Sequence, residues 1–237
     1  MAGENLWMIA LLVVAALVGS ALLVLAISSG SRQRKALEMM AARNGWRYAY
    51  ERASAGRGST LTLSDPAARW TVSIYSNSSS DTGGSTTRWT RFDRPDLALP
   101  QGAVILGPAI PAQAAQFASM VMENFASRFL GKLILGIDEA GGDVARLAHV
   151  SEVDATSGTL FATPEARHAL DPLIRHGALT AAREGLAEMK QPIVSRTTGG
   201  FRIRVRRALY NPKDVAALVT LGEVLAASLE NADSRTA

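Results

Sequence analysis

The feature that most constrains this chain is a run of 22 residues, Leu6 to Ile27, without a single charged side chain. As a helix it would be about 33 Å long at ~1.5 Å per residue, which matches a hydrocarbon core of roughly 30 Å. The rival reading is a cleaved secretory signal, with Ala26 and Ser28 as the small residues of a cleavage site. A signal opens with positive charge and has an apolar core of only ~7–15 residues, whereas Glu4 and no Lys or Arg precede this longer run. The expectation is an uncleaved amino-terminal transmembrane helix. Arg32, Arg34 and Lys35 follow it directly, and the cation-rich flank of a span stays in the cytoplasm. That gives a single-pass inner-membrane protein, N-terminus outside, with a membrane anchor over 1–30 and a cytoplasmic domain over 31–237. The domain could also divide into two subdomains, 31–107 and 108–237.

Charge points to the partners. Residues 29–107 hold 11 Lys and Arg against 6 Asp and Glu, while 108–237 hold 14 of each. Juxtamembrane cations gain about 1 kcal/mol each from anionic lipid, so Arg32, Arg34 and Lys35 are the expected contacts with the membrane surface. A nucleic-acid site would need a dense basic face with stacking platforms, and none is expected here. With no cysteine and three histidines, thiolate metal sites, iron–sulfur clusters, disulfides and a cysteine nucleophile are excluded. No cofactor is implied.

Along the soluble part, 31–44 reads as a helix stopping at Gly45. Trp46–Glu51, Ser59–Ser64, Arg69–Ser76, Thr87–Arg94 and Ala103–Leu106 read as strands of an antiparallel meander, because no long helix separates them. Asp65 to Ala68 has turn chemistry. The stretch 77–87 has no apolar residue and is expected as an exposed loop or hairpin tip. Helices are expected over 111–130, from Thr163 toward His176, and from 177 to about 190, with strands over 133–137 and 144–153, the latter run also suiting a helix. Ile193–Thr197 and Phe201–Arg207 flank Gly199 and Gly200 as a hairpin. Asn211 and Pro212 then start a last helix with Val215, Leu218, Gly222, Leu225 and Leu229 on one stripe.

Few residues suggest chemistry. Arg202, Arg204 and Arg206 alternate with Phe201, Ile203 and Val205, so three guanidinium groups share one strand face about 7 Å apart. Such a ladder suits an anion or an acidic partner; the plainer reading is a solvated face with acidic neighbours. Glu165 and His168 have the spacing used in carboxylate-bundle iron sites, but the second such pair is missing. His176 suits a helix C-terminus, and His149 has no evident partner. Asp138, Glu139 and Asp143 around a glycine pair lack the spacing of a calcium loop. Neither a nucleophile elbow nor a phosphate-binding loop occurs.

Gly45–Trp46 after a juxtamembrane helix, the strands around Gly58 and Trp70, the aromatic-basic run Trp89 to Arg94 and the closing hairpin and helix resemble uncharacterised bacterial membrane-anchored proteins of the domain-of-unknown-function kind. That resemblance carries no site residues. Arginine outnumbers lysine 21 to 4, which fits a GC-rich bacterial source. The fold expected is α+β: an N-terminal single transmembrane helix followed by a mainly antiparallel sheet with packed helices. The function expected is a non-catalytic adaptor or accessory of a membrane complex, binding lipid and a protein partner. The alternative is an enzyme or sensor acting on a phosphate-bearing or lipid ligand at the cytoplasmic leaflet.

Overall fold

The structure, a computed structural model, describes residues 30–54, 58–78, 86–108, 146–150, 158–174 and 192–236. Helix α1 (30–44) is amphipathic and buries Leu37 and Ala41. It ends at Gly45, whose φ of +70° is the left-handed conformation that glycine adopts without a Cβ penalty. There the Trp46 N–H donates to the Ala41 carbonyl at 2.8 Å, which closes the helix and feeds the chain into the first strand.

Strands β1 (Arg47–Glu51), β2 (Ser59–Ser64), β3 (Thr71–Ser78) and β4 (Thr86–Arg94) form an antiparallel meander. The β2–β3 turn is set by Asp65, whose carboxylate accepts from Arg69 Nε at 3.0 Å while its carbonyl accepts from the Ala68 N–H at 2.9 Å. Farther on lie β5 (Ala103–Gly107), β6 (Ala148–His149), β7 (Thr159–Ala162), β8 (Ile193–Thr197) and β9 (Gly200–Val205). Among the described residues all are joined in one nine-stranded sheet of order β1-β2-β3-β4-β9-β8-β5-β7-β6. The β8–β9 hairpin thus sits in the middle of the sheet: β9 pairs with β4 and β8 with β5, both antiparallel.

The sequence reading puts its one membrane-length apolar helix at the amino terminus, ahead of the sheet, and this needs correction. Among the described residues the helix long and apolar enough to cross a membrane is the last one, Pro212–Ser234, within helix α3 (Pro212–Thr236), and it follows the sheet. Residues 1–29 lie outside the described residues. The physical reason for the apolarity of α3 is packing: Val215, Leu225 and Leu229 are fully buried in the cluster that holds Val72, Phe92 and Ile203 of the sheet. A core helix and a spanning helix draw on the same residue types. Asn211 caps α3, its Oδ1 accepting the Lys213 N–H at 3.1 Å, with Pro212 at the first helical position where its missing N–H costs nothing.

The helix expected from Thr163 begins later than the sequence suggests. A 3-10 turn, Pro164–Ala166, and a short α2 (Asp171–Ile174) occupy its start. Thr163 does not cap the turn. It is fully buried, and its Oγ1 accepts the Ala103 N–H at 3.2 Å while its own N–H donates to the Ala103 carbonyl. Strand β5 therefore takes the hydroxyl that a cap would have used. Of the expected 144–153 strand, β6 occupies Ala148–His149. The expected 111–130 and 177–190 helices, the 133–137 strand and the greater part of the 77–87 loop lie outside the described residues.

Candidate functional site

Period-two alternation gives β1–β4 and β9 a helix-covered face and, among the described residues, an outer face without a helix. On the outer face of β3, β4 and β9 the register aligns Tyr75 with Trp89, Ser73 with Arg91 and Arg204, and Thr71 with Asp93 and Arg202. Trp89 and Tyr75 stack with ring centroids 5.2 Å apart and planes 19° from parallel. The guanidinium carbons of Arg91 and Arg204 lie 5.2 and 5.5 Å from the Trp89 ring centre, within the range of cation–π attraction. Asp93 joins the cluster, its two oxygens accepting from Arg91 Nε and Arg202 Nε at 2.7 Å each. These side chains are partly open, Arg91 at 28% and Arg202 at 24% exposure, so the cluster is held in shape yet reachable from solvent.

Of the arginine ladder, Arg202 and Arg204 lie on β9 as alternation requires, whereas Arg206 follows the strand's last residue, Val205. The Arg206 side chain is at the surface yet crowded by neighbouring atoms, and that desolvation lowers its pKa without removing its charge. In α1, Arg32 and Lys35 are exposed. Arg34 is turned onto the sheet, donating to the Tyr50 hydroxyl at 2.5 Å with its guanidinium 4.7 Å above that ring.

Glu165 and His168 do not converge. The Glu165 carboxylate pairs with Arg146, and its pKa is lowered by its own backbone N–H first and by Arg146 second. His168 Nδ1 meets Asp171 at 3.0 Å, and His149 lies 5.7 Å from Phe161 on β7. His176, Asp138, Glu139 and Asp143 are outside the described residues. Among the described residues no three His, Asp or Glu side chains gather as a metal site requires.

Two further arginines, Arg94 and Arg196, flank Phe201 on the helix-covered face, with side chains only 8% and 7% exposed. Arg94 donates to Asp96 at 2.6–2.8 Å and to Glu230 of α3. These bonds raise the arginine pKa and hold the Asp96 carboxyl below its usual range. Arg196 donates to the Leu97 carbonyl at 3.0 Å and to Asp233 of α3. The pair clamps the end of α3 to the sheet, where cations also meet the negative end of the helix dipole. Arg196 has a legible signal, since strand alternation puts it on the same side as Val194, and a charged residue on a core face is buried only when paired.

No family model matches the sequence, and no curated protein and no solved structure shows significant similarity to it.

Proposed function

We propose that the chain is a non-catalytic docking module at the cytoplasmic face of a cell membrane, and that it binds another protein through the outer sheet face around Trp89. The observation that carries this reading is the Trp89 cluster: a tryptophan stacked on Tyr75 beside the guanidinium groups of Arg91 and Arg204. Trp, Tyr and Arg are the residues that dominate binding energy at protein interfaces. Holding them in one geometry beforehand lowers the entropy lost on association. The arrangement has the features of a recognition surface and lacks, among the described residues, an acid, base and nucleophile brought together for reaction.

The membrane part of the reading is supported by charge, residues 29–107 holding 11 Lys and Arg against 6 Asp and Glu. The exposed Arg32 and Lys35 suit anionic headgroups at about 1 kcal/mol each. The test is affinity capture from mildly solubilised membranes, comparing the parent chain with Trp89→Ala. A partner recovered in stoichiometric amount by the parent and lost from Trp89→Ala supports the proposal. Equal recovery by both chains places the binding surface elsewhere and overturns it.

A further inference from the structure

Strand β1 is the end strand of the nine-stranded sheet: β2 pairs along one side, and among the described residues no strand lies along the other. An end strand presents unpaired backbone N–H and C=O groups and is a template for another chain. Arg47, Ala49 and Glu51 are exposed on the outer face, while Tyr48 and Tyr50 are half-buried on the helix side. Natural sheets commonly guard such edges with charged side chains, lysine above all, or with proline. This edge carries opposite charges at positions symmetric about Ala49.

The sequence Arg-Tyr-Ala-Tyr-Glu is therefore self-complementary in reverse. When a second copy pairs antiparallel with Ala49 on the two-fold axis, Arg47 stands opposite Glu51 twice, and Tyr48 stands opposite Tyr50 twice. A parallel pair in register sets Arg47 against Arg47 and Glu51 against Glu51, which is repulsive, and a slip of two residues removes both charge pairs. One arrangement is favoured over its rivals by charge, and it is the closed, isologous kind that stops at a dimer. We infer that β1 is a homodimerisation edge at which a second copy of this chain continues the sheet across Ala49. The tyrosine pairs would extend the helix-side cluster into the partner, whose outer cation and anion complete two ion pairs on the other face. A five-residue strand buries less than the roughly 800 Å² per partner of a standard interface, so the dimer is a weak one. This inference does not depend on the Trp89 surface, which lies on β4.

The chain has no cysteine, so Ala49→Cys in the full-length protein introduces a single thiol. Directly opposed residues of antiparallel strands lie about 4.5–5.5 Å apart at Cα, inside the ~4.4–6.8 Å that a disulfide spans. Arg47→Cys is the control, because its two copies would stand four residues apart, about 13 Å. Under mild oxidation of detergent-solubilised protein, Ala49→Cys is expected to cross-link at least tenfold faster than Arg47→Cys. Adding Arg47→Glu or Glu51→Arg to Ala49→Cys should each slow cross-linking roughly tenfold, since each turns two attractive pairs into repulsive ones. Mixing those two variants should restore it, because each mixed pair again sets one glutamate against one arginine at both ends of the strand. Equal cross-linking at positions 49 and 47, or no recovery in the mixture, overturns the inference.

Discussion

The packing of α3 on the sheet can be tested at a single hydrogen atom. Gly222 is buried in α3 against the edge of Phe92, and a Cβ built at Gly222 would lie 2.5, 2.5 and 2.6 Å from three carbons of that ring. Carbon atoms pack at about 3.5–4.0 Å, so Gly222→Ala demands that ring or helix move by about 1 Å. The ring has little room to move, because Phe92 is fully buried and stacked at 6.1 Å on Trp70, which in turn meets Trp46 edge-on at 5.0 Å. Overpacking of this kind costs about 1–3 kcal/mol, and alanine returns about 1 kcal/mol of helix propensity. With the ring held on its far side the upper end applies, and the net destabilisation expected is about 2 kcal/mol. Urea denaturation should show a lower midpoint with an unchanged slope. In a Phe92→Leu background the same Gly222→Ala change should lose its overpacking cost and keep the propensity gain, stabilising by about 1 kcal/mol and giving a coupling of about 3 kcal/mol between the two sites. If Gly222→Ala is as stable as the parent, or if its cost persists in the Phe92→Leu background, the close approach of α3 to Phe92 is wrong.

Other consequences are independent of this one. Thr90, fully buried, donates to the Arg207 carbonyl at 2.7 Å and accepts the Leu209 N–H at 2.8 Å, so Thr90→Val should cost about 1–3 kcal/mol by leaving two backbone groups unsatisfied, readable by thermal or urea melting. In the α3 clamp Arg196 is enclosed while Asp233 is 51% exposed. Removing the acid takes the carboxylate from an enclosed cation, whereas removing the arginine leaves an acid that is half open to water; Asp233→Ala should therefore destabilise more than Arg196→Met in the same melts. Ala68 has φ of +57°, a conformation that costs a residue with a Cβ about 1–2 kcal/mol, so Ala68→Gly should raise the melting temperature. The Arg94 guanidinium and the Arg69 side chain hold the Asp96 and Asp65 carboxyls below their usual range. Their contribution is present above the unfolded value near pH ~4 and is lost as pH falls through the folded value. An Asp65→Asn, Asp96→Asn chain should accordingly show a flatter fall of stability below pH ~4.

Much of the local structure is legible in the sequence. Alternation in Trp46–Glu51, Ser59–Ser64 and Thr87–Arg94 locates β1, β2 and β4 to within a residue or two, because a half-buried strand writes its pleat directly into the sequence. Alternation assigns a residue to a face and says nothing about which strand lies alongside. Hence it does not foresee the insertion of the β8–β9 hairpin between β4 and β5, nor the meeting of Arg91, Asp93 and Arg202 across that seam. Trp89 is visible as part of an aromatic-basic run, but its role needs Tyr75 in register on β3 and Arg204 reaching over from β9. The last helix and its stripe are legible, but the membrane-length apolar helix expected before the sheet stands after it as α3, because composition alone does not separate a spanning helix from one whose stripe covers a wide sheet. Thr163 has every mark of a cap and is taken by the Ala103 backbone instead, a long-range contact that no local pattern encodes.

The contact proposed here joins the outer face around Trp89 to another protein. The most direct test puts a photo-reactive amino acid at Ser73, which is aligned with Arg91 and only partly exposed on that face, and irradiates living cells. One discrete adduct with a different protein is expected, abolished by Trp89→Ala while the chain remains folded. Adducts with lipid or with a second copy alone, or an adduct indifferent to Trp89, would contradict it.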